Sequence, residues 1–575
     1  MRGSSQDSRL REVMRMVRIG LPSEGSVHDL RGQIESRINE LKGVFKRHPE
    51  DQVARLKLLT LEAESLHQSG RVKESVQVLT PLWEELEPLV RKKTLAQVAK
   101  VEGRTSRPLL RQKIWGALHF IWFNYYALMR RNAEGVELLD SVGYIIEHEL
   151  ATPEYSPSGT RAIQHYFIGH CHRAQRNFRE AEKHFLEAQK EAQNRLDNKL
   201  KEKDSDRDYE IAFNNVFVAR VLGAGLSWIV LQEGRLSNAE HLLRAALALL
   251  SNTRQQSVKQ FVNSILEMAV RRRASVGTRD YANAVQSLER CFDDFKADSD
   301  ISGQLRCAGE LVRAYLDLVQ FAKTNKQDDV GKAELWLGKF KELSDLSEAS
   351  ADRKSAVRYD LLDARFKLLS GDVRGARETM GKIHEAAKSR NAIVTEFGTE
   401  ISILDAAIFL EERDKPRAKA TLKEALAKFK PRPEGVGLFD PVLEAECHLL
   451  FIKAGTPIVD QAQMESSADQ LRALSQFVEN AYLLHLSHDI NISKYPAFHK
   501  DPDLDFDSKT ALTYKKEFER WLDDVISIRF QHASHSELAK IKGVSTSTIC
   551  RKDKDKEQCQ EKKPQHTNLR RRAVG

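Results

Sequence analysis

Four side chains able to hold a metal fall within eight residues: His165, His170, Cys171 and His172. Imidazole and thiolate together form a zinc donor set. The spacing argues against one, because His165 and His172 sit two helical turns apart, on positions that a helix hairpin uses for packing. Asp501-Pro-Asp-Leu-Asp-Phe-Asp507 alternates carboxylates as a calcium loop does, but the position that needs Gly is Phe506 and the one that needs a bidentate Glu is Leu512. Leu222-Gly-Ala-Gly-Leu226 is Gly-rich, yet it lies within a helical pattern and lacks both the preceding strand and the GK[ST] of a phosphate loop. There is no GxSxG, no HExxH and no paired-Cys spacing. The expectation is a chain with no catalytic constellation, no metal and no cofactor, and so not an enzyme.

The chemistry that the residues do support is the reading of DNA. Residues 536–551, Ser-Glu-Leu-Ala-Lys-Ile-Lys-Gly-Val-Ser-Thr-Ser-Thr-Ile-Cys-Arg, place Ala539 where two helices would cross and Gly543 at the turn. Val544 would plug the turn, Ser545 cap the second helix and Ile549 anchor it. The segment resembles the bacterial helix-turn-helix pattern ELA…GVS.STI.R, departing from it at Lys542, where an apolar residue is usual. The resemblance implies that Ser545, Thr546, Ser547 and Arg551 reach base edges while Lys540, Lys542 and Lys552 hold phosphates. Charge placement agrees. Residues 529–575 carry twelve Lys/Arg and five acids, so this end holds +7 of the chain's formal +8. A basic patch confined to the motif is the electrostatic footprint of a DNA contact. The other reading of residues 554–575 is a disordered solubilising tail.

The elements that would carry this module are helices. Between about residues 50 and 430 one pattern recurs: an apolar helix, a tight turn often holding Gly, and a second helix with small residues facing back. The clearest copy, HYFIGHCHRAQRNFREAEKHFLEA at 165–188, has Gly169, Phe178, Ala181, Phe185 and Ala188 at the contact positions. It resembles the tetratricopeptide repeat. Small-residue anchors at 75, 135, 181, 239, 284, 333, 376 and 418 lie 42 to 60 residues apart. The usual period is about 34, so the array is degenerate. Stacked hairpins of this kind form a superhelix with a concave groove. Matching the copies places Glu64, His67, Asn124, His170, Arg173, Trp228 and Arg365 on the groove side, a mixed polar lining suited to a peptide or protein segment.

Composition bounds the remainder. At 575 residues, with 30% charged and only 15 Pro, the chain suits long uninterrupted helices. Six scattered Cys without a CxxC pair point to a reducing compartment. The basic N-terminus lacks an apolar signal core, and the most apolar window, Ile114–Met129, is too short and polar to span a membrane. A cytoplasmic location is expected.

The predicted fold is all-α: a degenerate tetratricopeptide-like superhelix followed by a small helix-turn-helix module. The expected parts are an N-terminal basic segment and first helix (1–45), the array (46–490), a linker (491–508), the helix-turn-helix module (509–553) and a basic tail (554–575). Within the module, Phe518, Trp521, Leu522, Val525 and Ile526 would form the helix beneath the motif. The expected function is a DNA-binding regulator whose array takes a peptide or protein ligand; the alternative is a repeat scaffold that never touches DNA. Double-stranded DNA, the groove ligand and a homodimer are the partners compatible with this reading, with no membrane partner. Peptide-sensing quorum regulators join similar parts in the opposite order, and large ATP-dependent activators add an ATPase that this chain lacks.

Overall fold

Helix follows helix because apolar residues recur at helical spacing and several of the helices are closed by the same turn. The computed structural model describes residues 2–20, 27–93, 107–127, 132–147, 158–202, 206–251, 253, 255–321, 326–346, 354–388, 391–429, 441–455 and 461–474. Among the described residues there is no strand. At six places a residue with positive φ ends one helix and the next begins at once: Gly70, Arg176, Gly234, Ser299, Gly371 and Arg413. At Gly70 the amide donates to the His67 carbonyl at 3.0 Å, and Arg71 N–H donates to the Leu66 carbonyl at 2.9 Å. This pairing, repeated at all six, satisfies carbonyls that a helix end leaves open. On the far side, Asp414 and Asp372 accept from Arg417 N–H and Gly375 N–H and so start the following helix.

The helices so joined pack on their neighbours in chain order: Ser158–Ala174 on Phe178–Lys201, Ile301–Phe321 on Lys326–Leu346, Lys354–Leu369 on Val373–Lys388. That order is compatible with an α-solenoid. The anchors Ser75, Gly135, Ala181, Ala239, Ala284, Ala333, Ala376 and Ala418 are all buried. Their smallness lets neighbouring helices approach. At Gly169 and again at Gly225, an added Cβ would stand 2.8–2.9 Å from the Phe185 ring, which is wedged between the two helices.

Residues 1–45 differ from expectation, holding two helices, Arg2–Ile19 and Val27–Arg47. Their stripes (Leu10, Val13, Met16, Val17; Ile34, Ile38, Leu41, Phe45) close a core with Leu58 and Leu61. The pair also ties distant parts of the stack together. The Val17 carbonyl accepts from Gln68 Nε2 at 3.2 Å and from Gln255 Nε2 at 3.1 Å. Arg31 donates to the Asp298 carbonyl, and farther along Arg176 meets Glu400 at 3.2 Å. The chain therefore curls until its hairpins face one another.

Residues 114–127 of the apolar window fall in the helix Arg107–Ile121 and a π-helical turn, Trp122–Ala127, where Trp122 stacks on Phe167 at 4.5 Å. Among the described residues one helix, Arg207–Gln232, is long and apolar enough to cross a membrane; 78% of its most apolar window is buried inside the protein.

One buried carboxyl works against the fold. Glu182 is 5% exposed, and its Oε2 has no hydrogen-bond partner among the described residues. Burial, with Glu233 beside it, pushes it up to about 8. The unfolded chain ionises this group near 4.5 while the folded chain holds its proton, so stability falls as pH rises from about 4.5 to about 8. Glu182→Gln is expected to flatten that decline, gaining about 1–3 kcal/mol at pH 8.5 and little at pH 5. Thermal melts at the two pH values check this; equal shifts at both would contradict it.

Candidate functional site

The curl of the stack encloses a cavity of about 960 Å³, the upper end of the range for ligand sites. Its wall draws on helices from the N-terminal pair to Pro441–Ala454. Six of the seven groove residues expected from the repeat register line it: Glu64, His67, His170, Arg173, Trp228 and Arg365. Asn124 is not among the lining residues. It falls in the π-helical turn Trp122–Ala127, whose extra residue per turn rotates side chains off the α-helical register used to place it.

At one end Glu64 is already engaged. Arg18 Nη2 donates to it at 2.8 Å, Trp115 Nε1 at 3.2 Å, and His119 Nε2 lies 3.5 Å away. Burial alone would raise this carboxyl, but Arg18 and His119 outweigh burial and hold it at about 2. His67 packs between Trp122 and Phe123 at 4.5 and 4.6 Å, and burial, then Arg220, lowers it to about 3. His170 is 3% exposed, edge-on to Tyr166 at 4.5 Å, and burial, then Arg173, keeps it well below its ordinary value. These imidazoles are thus neutral wall material at pH 7, not solvated groove cations.

Farther along, Arg173 Nη1 donates to the Ala224 carbonyl at 2.5 Å and its guanidinium lies 5.9 Å from the Trp228 ring centre. Ala224 belongs to a second π-helical turn, Val221–Leu226, and such turns recur at functional sites. The Gly-rich Leu222–Leu226 is part of this turn; a Cβ at Gly223 would stand 2.8 Å from Val262, so its glycines serve close packing. Trp228 is half-buried and packed against two core clusters. Arg365 Nη2 donates to Asp317 Oδ1 at 3.3 Å.

Repeat matching missed the dominant character of the wall. Ten arginines and one lysine line the cavity against seven carboxylates, interleaved with Trp115, Trp122, Trp228, Phe261 and Phe397. On a helical net these arginines look like those of any solvated face; only the curl of the stack turns them inward.

The four candidate metal donors divide between two faces of Ser158–Ala174. His170 and Cys171 are buried in the aromatic core, while His165 Nδ1 meets His184 Nδ1 at 3.0 Å and His172 stacks on the same His184 ring. Among the described residues no three His, Cys, Asp or Glu side chains are arranged to hold a metal. The DNA-reading candidates Lys540, Lys542, Ser545, Thr546, Ser547, Arg551 and Lys552 lie outside the described residues, as do the linker, the Asp501–Asp507 run and the tail. No protein-family model matches the chain, and no curated protein matches its sequence.

Proposed function

We propose that this chain is a non-enzymatic DNA-binding regulator: a tetratricopeptide-like array that holds a peptide or protein segment, joined to a C-terminal helix-turn-helix that reads duplex DNA. The observation that carries the array half is the cavity. Its wall draws on many hairpins and is lined with arginines and aromatics, the side chains that dominate protein recognition sites. The DNA half rests on the 536–551 pattern and on the charge gathered around it.

Three tryptophans line the cavity, so its occupation is expected to change the intrinsic fluorescence of the whole protein. Arg173→Ala is expected to weaken partner binding by about 2 kcal/mol while leaving the melting temperature nearly unchanged, because the half-buried side chain lies on the cavity wall and not in a core cluster. Trp228→Ala is expected to weaken binding and also to lower stability, since that ring joins two core clusters. Affinity purification from the native host with quantitative mass spectrometry, paired with melts, separates the two effects. A partner retained equally by wild type and Arg173→Ala would remove the cavity from the reading.

A further inference from the structure

We infer that the cavity is built for an acidic peptide of a partner protein, one whose carboxylates flank an apolar stretch and meet Arg220 and Arg306. This rests on the reading of the array as a peptide-binding groove and adds the chemistry of its ligand.

Arg220 and Arg306 both line the cavity. Among the described residues Arg220 has no ion pair and no hydrogen bond. Arg306 donates to Ser264 Oγ at 3.3 Å and lies 4.3 Å from the Phe261 ring centre, with no carboxylate of the described residues within ion-pair distance. Both side chains are half-buried, and a guanidinium partly withdrawn from water without a counter-ion is costly. Elsewhere on the same wall that cost is met: Arg18 has Glu64, Arg271 has Glu310, Arg365 has Asp317. Arg220 and Arg306 rise from different helices, Arg207–Arg220 and Ile301–Phe321. Arg220 feels Arg18 and Glu64, whereas Arg306 feels Asp300, Arg358 and Arg173. The two arginines therefore come from separate elements of the cavity wall, which aromatic side chains also line. Two fork-shaped donors with no acid in ion-pair contact match carboxylates on an extended chain, and the rings match apolar side chains.

The test is a display selection of random dodecapeptides on immobilised full-length protein. The peptides enriched are expected to carry at least two Asp or Glu on either side of an aromatic or branched apolar residue. In fluorescence anisotropy with one enriched peptide, Arg220→Gln and Arg306→Gln should each weaken binding about 10–100-fold. Changing the matching Asp of the peptide to Asn should cost as much, and should cost nothing further on the Gln variant. That peptide-side exchange leaves the protein unaltered, so it decides the matter even if a variant misfolds. Neutral or basic consensus peptides, or Asn peptides that bind as well as Asp peptides, would overturn the acidic ligand while leaving a peptide groove standing. No enrichment of any peptide would overturn the groove reading and this inference with it. Saturable binding of ATP at the cavity, blocked by neither Asn nor Asp peptides, would assign the arginines to a nucleotide and likewise overturn the proposal.

Discussion

Arg271→Ala is expected to lower the stability of the stack by about 3–5 kcal/mol, the cost of leaving a buried ion network without its centre. Arg271 is 4% exposed and bridges two buried acids, donating to Glu310 Oε1 at 2.6 Å and to Asp317 Oδ2 at 2.8 Å. Arg272 shares Glu310 at 2.8 Å, Arg365 shares Asp317 at 3.3 Å, and Tyr281, whose hydroxyl donates to the Ala314 carbonyl, also touches Arg271. Four helices are thereby locked together: Gln256–Arg273, Arg279–Ala297, Ile301–Phe321 and Lys354–Leu369. Arg271→Lys should recover only part of the loss, because an ammonium cannot bridge both carboxylates in the plane of a fork. Burial would raise the Glu310 carboxyl, but Arg271 and Arg272 outweigh it and hold Glu310 well below its ordinary 4.5. Its contribution is therefore present above pH 4.5 and is lost as pH falls below that value. Repeat arrays melt in parts, so the readout is hydrogen exchange over residues 256–321 together with chemical denaturation. Unchanged protection in that region would contradict the assignment.

Ala181→Arg is expected to be at least as damaging, above about 4 kcal/mol, and to leave the array open or unfolded. Ala181 is 0% exposed between Ser158–Ala174 and Phe178–Lys201, in the core that Phe178 and Phe185 fill. Those helices are close enough that even a Cβ on Gly169 would touch the Phe185 ring. An Arg there can neither fit nor find a counter-ion. Circular dichroism and thermal melts of Ala181→Arg beside Arg173→Ala give the contrast. If the Arg173 variant unfolds and the Ala181 variant does not, the hairpin register is wrong.

The hairpins were legible in the sequence because small residues recur where helix backbones meet: all eight anchors are buried. Turns were legible where Gly supplies the positive φ, at Gly70, Gly234 and Gly371. They were hidden at Arg176, Ser299 and Arg413, which adopt the same conformation because two turn hydrogen bonds outweigh the modest left-handed cost. Of the groove, the residues set by hairpin register could be read, since register is local. The unpaired arginines, the π-helical turns and the docking of Val17 against Gln255 could not, because each depends on contacts between residues far apart in the chain.

If the 536–551 segment reads duplex DNA as proposed, the protein should occupy specific chromosomal sites through it. Chromatin immunoprecipitation of the tagged full-length protein in its native host, beside Arg551→Ala, tests that occupancy directly. The account predicts sharp peaks sharing one sequence motif for the wild type. For the variant it predicts loss of about 1–3 kcal/mol of binding, with relaxed preference at one base pair of that motif. A flat profile for the wild type, or shared peaks that Arg551→Ala leaves untouched, would contradict it.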